Sequence, residues 1–236
     1  MEKIKFTKAA ADAAILILCA AFAALSGLAL LYRIDNKYTA KATVLQEHAA
    51  VLPDNGARFL VDGWEMYPDR LLTPADFSEG TPKPCYTVWI GQYPNLSLFH
   101  ADGNPYGIAT YRIRLKGEGA AALYLQEPLC ASRVFANGRD LGGPGNVGTE
   151  GDKAEGYQPL IRDTMYSFTV NGEAELIIQT ANYSHYYGGL WFPPIAGDAD
   201  SVLHLVSSRM IFYGFACFTA LAMALFCMVL WFGRKE

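Results

Sequence analysis

From Asn182 to Trp191 the chain reads Asn-Tyr-Ser-His-Tyr-Tyr-Gly-Gly-Leu-Trp. Tyr183, His185, Tyr186, Tyr187 and Trp191 crowd around the Gly188-Gly189 pair. Such rings offer apolar faces with hydrogen-bonding tips. That chemistry grips a sugar-like or amphipathic molecule, and it does not by itself break bonds. Asn182, His185, Tyr186, Tyr187 and Trp191 are therefore candidate ligand-binding residues. Trp64, in Val-Asp-Gly-Trp, joins them. Structural roles for the same side chains stay open: a loop plugging the end of a folded domain, a collar of rings near a membrane surface, and Trp64 as a core residue.

Other candidate chemistry is sparser. Gly143, Gly145 and Gly148 match Gly-x-Gly-x-x-Gly. A dinucleotide site needs a helix to open there, so that its N-terminus meets the phosphates. The following Thr-Glu-Gly-Asp-Lys-Ala-Glu-Gly has no apolar helical face, which predicts a loop at a sheet edge. His48, His100, His185 and His204 show no metal-ligand spacing, and no Gly-x-Ser-x-Gly elbow is present. No catalytic residue, metal ligand or cofactor is expected, and the chain reads as a non-enzyme. Of five cysteines, Cys19, Cys217 and Cys227 fall in apolar stretches. Cys85 and Cys130 are left either as a disulfide, in an oxidising compartment, or as two buried thiols. Asn95 and Asn182 each begin an Asn-x-Ser sequon.

The elements that must position these groups start with two charge-free apolar stretches, residues 14–32 and 210–232. As helices they would span roughly 28–35 Å, enough for a hydrocarbon core of about 30 Å. The expected layout is a cytoplasmic N-terminus (1–13), a first transmembrane helix (14–32), an extracytoplasmic domain (33–209), a second transmembrane helix (210–232) and a cytoplasmic tail (233–236). The first helix is an anchor or an uncleaved signal, with cleavage left open. Lys3, Lys5 and Lys8 before it, and Arg234 and Lys235 after the second, place both termini in the cytoplasm of a cell (plasma or inner) membrane. Small residues Ala20, Ala21, Ala23, Ala24 and Gly27 on one helix, and Gly214, Ala216 and Ala220 on the other, permit close helix approach.

The part between is acidic, with 11 Lys and Arg against 19 Asp and Glu over residues 38–200. That disfavours nucleic acid as a partner. Short β-rich runs at 58–62, 86–90, 108–116, 120–126, 133–136, 165–170 and 175–180 are separated by turn residues. In 108–116 Ala109, Tyr111, Ile113 and Leu115 alternate with Thr110, Arg112 and Arg114, the pattern of a half-buried strand. Asn137-Gly138 and Asn171-Gly172 read as hairpin turns. Residues 71–77 read as a short helical turn, with Thr73 as cap and Pro74 at the first position. Residues 37–44 and 201–205 read as strands able to pair. The fold class is an all-β jelly-roll or β-sandwich domain flanked by two transmembrane α-helices.

The order of signals carries a resemblance. Phe59-Leu-Val-Asp-Gly-Trp64 is followed by Leu72-Thr-Pro-Ala-Asp-Phe77, Gly107-Ile-Ala-Thr-Tyr-Arg112, Arg133-Val-Phe-Ala-Asn-Gly138, Gly188-Gly-Leu-Trp191 and then an apolar span. This resembles the extracytoplasmic jelly-roll domain of bacterial seven-transmembrane receptors with diverse intracellular signalling modules. More distantly it is similar to galactose-binding-like domains of glycoside hydrolases. The resemblance implies a membrane-anchored extracytoplasmic sensor for a small molecule, carbohydrate among the candidates, coupled through its helices to a signalling partner or a missing C-terminal effector. It supplies no catalytic residue. One span, not seven, follows the domain, so the chain reads as a truncated member or as one that works with a separate partner. The alternative is an envelope protein–protein interaction or assembly subunit without a small-molecule ligand.

Overall fold

A computed structural model of the protein describes residues 2–39, 41–149 and 152–233. Arg234 and Lys235, on which the expected cytoplasmic tail rests, lie outside them. The chain divides into two compact units, Lys37–Val206 and the two terminal segments Met1–Asn36 with Ser207–Glu236.

The terminal unit is helical. Helix α1 spans Glu2–Asp35 and helix α2 spans Ala199–Gly233. Both are long and apolar enough to cross a membrane, and their apolar windows bury nothing inside the protein. Asp35, at the C-terminal end of α1, meets the unfavourable end of the helix dipole. Arg209 of α2 offsets it at 2.8 Å, and the Tyr213 hydroxyl donates to the same carboxylate. Gly27 and Gly214, two of the small residues that permit close helix approach, have no neighbour within 4 Å of a would-be Cβ.

The other unit is a β-sandwich. Its frame is one antiparallel pair, β6 (Gly107–Leu125) and β11 (Thr164–Asn182), matched over 19 residues each. The expected runs 108–116 and 120–126 are thus one strand, as are 165–170 and 175–180. Asn171-Gly172 does not turn the chain. It stays in register opposite Glu118 and Gly117, with Gly172 at φ 75°. Glycines facing each other let the long pair bend without a side chain in the way. Asn137-Gly138, by contrast, closes the hairpin between β7 (Ala131–Ala136) and β8 (Arg139–Gly142), both residues at positive φ. The other edge of β6 is shared by β4 (Trp64–Pro68), β2 (Ala49–Val51) and β12 (Ile195–Gly197), while β7 extends the sheet beyond β11. At the margins β1 (Leu45–Gln46) pairs with β2, β3 (Ala57–Phe59) with β12 and β5 (Tyr86–Val88) with β4, and β9 (Asn146–Thr149) pairs with β10 (Asp152–Gln158) as a separate ribbon. Inward-facing Leu60, Trp64, Tyr111, Ile113, Leu123 and Leu176 fill the main core.

Residues 70–78 cover part of the outer face, and they explain why several polar strand residues are buried. Thr110 Oγ1 accepts from Leu72 N and donates to Arg70 O, and Gln179 Nε2 donates to Leu72 O. The helical turn Pro74–Phe77 forms as expected. Thr73 is its N-cap and Pro74 opens it; the Thr73 amide and hydroxyl both donate to the Asp76 carboxylate, which lies below its usual pKa for that reason.

Residues 201–205 are helical, not a strand. Asp198 caps α2, accepting from Ser201 N at 2.9 Å with one oxygen and from Gly56 N at 2.6 Å with the other. Val202 and Leu205 then pack against Ala57, Phe59 and Ile195. The Ser201 side chain and amide, and then the Gly56 amide, hold the Asp198 carboxyl below the usual carboxylate range. A depressed folded pKa stabilises fully above the unfolded value of about 3.9 and loses that effect as pH falls through the folded value. Asp198→Ala is expected to cost about 1–2 kcal/mol at neutral pH, with the gap to wild type narrowing in acid as the lowered carboxyl protonates. Melting curves at neutral and acid pH check it.

Candidate functional site

Three backbone placements converge at one end of the sandwich. The pairing of Asn182 with Gly107 brings Tyr183 beside the segment that precedes β6. The pairing of Pro68 with Ala109, followed by a bond from Asp69 N to Ile108 O of 2.8 Å, sets Asp69 on the same spot. Asp69 sits at φ 59°, a conformation a short polar residue tolerates best. Residues 100–106 complete the ring through their own side chains: Asp102 Oδ1 accepts from Asn104 N, and Asn104 Oδ1 from Tyr106 N.

Together these enclose a cavity of about 530 Å³ walled by Asp69, Phe99, His100, Asp102, Tyr106 and Tyr183, among others. Phe99 is wedged edge-on against Tyr86 and Tyr93, and Tyr183 against Tyr157. The His100 side chain is only 12% exposed. It lies against Gly107, where a Cβ would meet its Cε1 at 3.1 Å. Its Nδ1 is 2.7 Å from Asn104 O and its Nε2 is 2.9 Å from Asp69 Oδ1. Carbonyl and carboxylate oxygens only accept, so both contacts are hydrogen bonds when both ring nitrogens carry protons. In that state the imidazole offers the cavity neither a lone pair nor a free N–H. Burial, then Asp69 and Tyr157, pushes the Tyr183 hydroxyl above its ordinary pKa, keeping it a neutral donor and acceptor. The arrangement can hydrogen-bond and stack on a small molecule of a few hundred Å³.

Of the six residues singled out from the sequence, the structure gathers three. Tyr186 and Tyr187 meet edge to face at 5.2 Å, and Tyr187 tilts against Trp191 at 5.0 Å, forming a cluster in which both tyrosines are exposed. His185 is exposed but has no ring partner there. Asn182 is 4% exposed and staples the loop, donating to His185 O and accepting from the Ser184 and His185 amides. Its amide fills the space a Cβ on Gly188 would need, 2.1 Å away. Trp64 takes the core role: fully buried, with its indole N–H donating to Leu60 O and its ring edge-on to Tyr111. The sequon residues Asn95 and Asn182 are both buried.

Of the two alternatives left open for Cys85 and Cys130, the structure has them as free thiols. They face different partners. Cys85 neighbours the Tyr67 hydroxyl, whereas Cys130 is buried with its sulfur 3.9 Å from Gly189 O, its thiol pushed up to about 12 by burial. Gly143–Gly148 leads into strand β9 (Asn146–Thr149), not a helix. Gly143 and Gly145 are needed because Ser132 O and Gln158 O would lie 1.9 and 2.2 Å from a Cβ. Among the described residues no group of three or more His, Cys, Asp or Glu gathers as a metal site would require.

Asp69, Phe99, His100, Asp102, Tyr106 and Tyr183 were not singled out from the sequence as ligand-binding. The dense turn chemistry of His-Ala-Asp-Gly-Asn-Pro-Tyr directly before the strongest strand is the signal that could have flagged half of them.

No family model matches the chain, and no curated protein matches it. Solved structures similar to it include a putative β-galactosidase from Bacteroides fragilis, 15% identical with a TM-score of 0.42, the match covering 59% of this chain and 22% of that one. A β-glucuronidase from Bacteroides uniformis is 16% identical at a TM-score of 0.42, over 59% and 17%. A β-glucuronidase from an uncultured Clostridium is 10% identical at a TM-score of 0.43, over 66% and 30%. The chain spans less than a third of the length of each of these proteins.

Proposed function

We propose that the β-sandwich is an extracytoplasmic ligand-binding module, anchored by α1 and α2, that senses a small polar molecule in the cavity beneath Asp69, His100 and Tyr183. Carbohydrate is the first candidate. The observation that carries this reading is the cavity itself: aromatic walls with carboxylate, amide and phenol groups, where the loop before β6 meets the ends of β4 and β11. Orientation is supported by Lys3, Lys5 and Lys8 before one span and Arg234 and Lys235 after the other. The Asp35–Arg209 pair supports communication between the helices and thence to a signalling partner, because it ties them at one point. A receptor-like sensor of this kind fits the order of motifs from Phe59 to Trp191.

Full-length protein in lipid nanodiscs, titrated calorimetrically with neutral and modified monosaccharides, tests the reading. Binding is expected, and Tyr183→Ala is expected to weaken it about tenfold, the loss of one ring face at about 1–1.5 kcal/mol. Silence across the panel would sink it.

The exposed Tyr186–Tyr187–Trp191 cluster favours a second reading, an assembly subunit that docks another envelope protein. Aromatic rings are enriched at such contacts. That reading expects a stoichiometric crosslinked partner, lost in Tyr187→Ala, and no small-molecule ligand.

A further inference from the structure

We infer that the cavity selects by charge and takes a polyol bearing a free, cationic amine. This rests on the ligand-binding reading above and names the ligand class of the same site.

Among the described residues the walls carry two carboxylates and no lysine or arginine. Each carboxylate has one oxygen committed to holding the fold: Asp69 Oδ1 to His100 Nε2, and Asp102 Oδ1 to Asn104 N. The second oxygen of each remains for a ligand. Around them stand the rings of Phe99, Tyr106 and Tyr183, whose faces attract a cation. Among the described lining residues the one group able to carry positive charge, His100, directs both ring nitrogens at protein acceptors. It therefore has no N–H to give an incoming carboxylate or phosphate. An acidic ligand would meet Asp102 with no cationic donor among the described lining residues, whereas an ammonium group would find acceptor oxygens and ring faces together. The hydroxyls of Tyr106 and Tyr183 and the Asn104 side-chain amide suit the neutral hydroxyls of a polyol. Burial, and then the Asp69 charge, raise the pKa of the Tyr183 hydroxyl, the direction a negative charge beside that wall would give. The acidic surplus of the whole domain acts in the same direction at long range.

The test is calorimetric titration of the full-length protein in nanodiscs with D-glucosamine, D-glucose, N-acetyl-D-glucosamine and D-glucuronate at low salt. Glucosamine is expected to bind at least tenfold more tightly than glucose or N-acetylglucosamine, with glucuronate weakest. Added salt should narrow the gap between glucosamine and glucose. Asp102→Asn keeps the acceptor that Asn104 N needs and removes only the charge, so the glucosamine-to-glucose affinity ratio should fall towards one. Asp69→Asn, at a backbone conformation asparagine tolerates, should lower the ratio as well. If glucose or glucuronate matches glucosamine, or if both variants keep the amine preference, the charge inference is overturned. Glucose binding that Tyr183→Ala abolishes would then leave the ligand-binding reading standing. Failure of all four sugars to bind overturns both.

Discussion

Trp64→Ala is expected to destabilise the sandwich by about 3–5 kcal/mol, a large share of the roughly 5–15 kcal/mol that holds a domain together. The indole is fully buried among Leu60, Tyr111 and Ile113. Truncation leaves a void, and it leaves Leu60 O without the N–H that now reaches it at 2.8 Å. Trp64→Phe should recover most of the packing and lose only the hydrogen bond, about 1–3 kcal/mol. Chemical denaturation followed by circular dichroism ranks the three proteins. A Trp64→Ala protein as stable as wild type but unable to bind ligand would instead make Trp64 a ligand platform.

Arg112→Ala should cost about 3 kcal/mol, at the lower end of the range for breaking a buried ion pair because the two glutamates remain about a quarter to a third exposed. The guanidinium bridges Glu65 of β4 at 3.0 Å and Glu175 of β11 at 2.7 Å, and it lies 4.5 Å above the Phe77 ring. Burial alone would lower its pKa, but Glu175 and then Glu65 outweigh that and raise it. Removing the cation leaves two carboxylates facing one another across β6 and frees the cover formed by residues 70–78. Lysine should not rescue the variant, since one ammonium cannot form the planar fork that joins two carboxylates while stacking on a ring. Equal denaturation midpoints for wild type and Arg112→Lys would refute this account.

The helices and the alternating strand 108–116 were legible because their signals are local: long charge-free runs, and period-two alternation. The continuous strands β6 and β11 were not. Gly117, Gly119 and Gly172 read as breaks, but all three stay in register within the pair, Gly117 opposite Gly172 and Gly119 opposite Val170. The two Asn-Gly dipeptides show the limit plainly. Asn137-Gly138 turns because β8 returns alongside β7, while Asn171-Gly172 does not, because β6 lies opposite throughout. Strand β4 escaped notice because four of its five residues are buried, which erases alternation. For the site, the aromatic run 182–191 was visible as composition, and part of it does gather. The cavity was not visible, since Asp69, His100 and Tyr183 meet only through the register of β4, β6 and β11.

That register also sets the tempo of folding. Leu125 pairs with Thr164 at one end of the central ladder, and Gly107 with Asn182 at the other. No rung joins residues near in sequence, so each must await closure of a long loop, and such non-local pairing is slow. A chain emerging from the ribosome cannot close this ladder's far end until residue 182 is free. Until then Trp64, Ile113 and Leu123 stay bare, the period in which aggregation or a chaperone would compete for them.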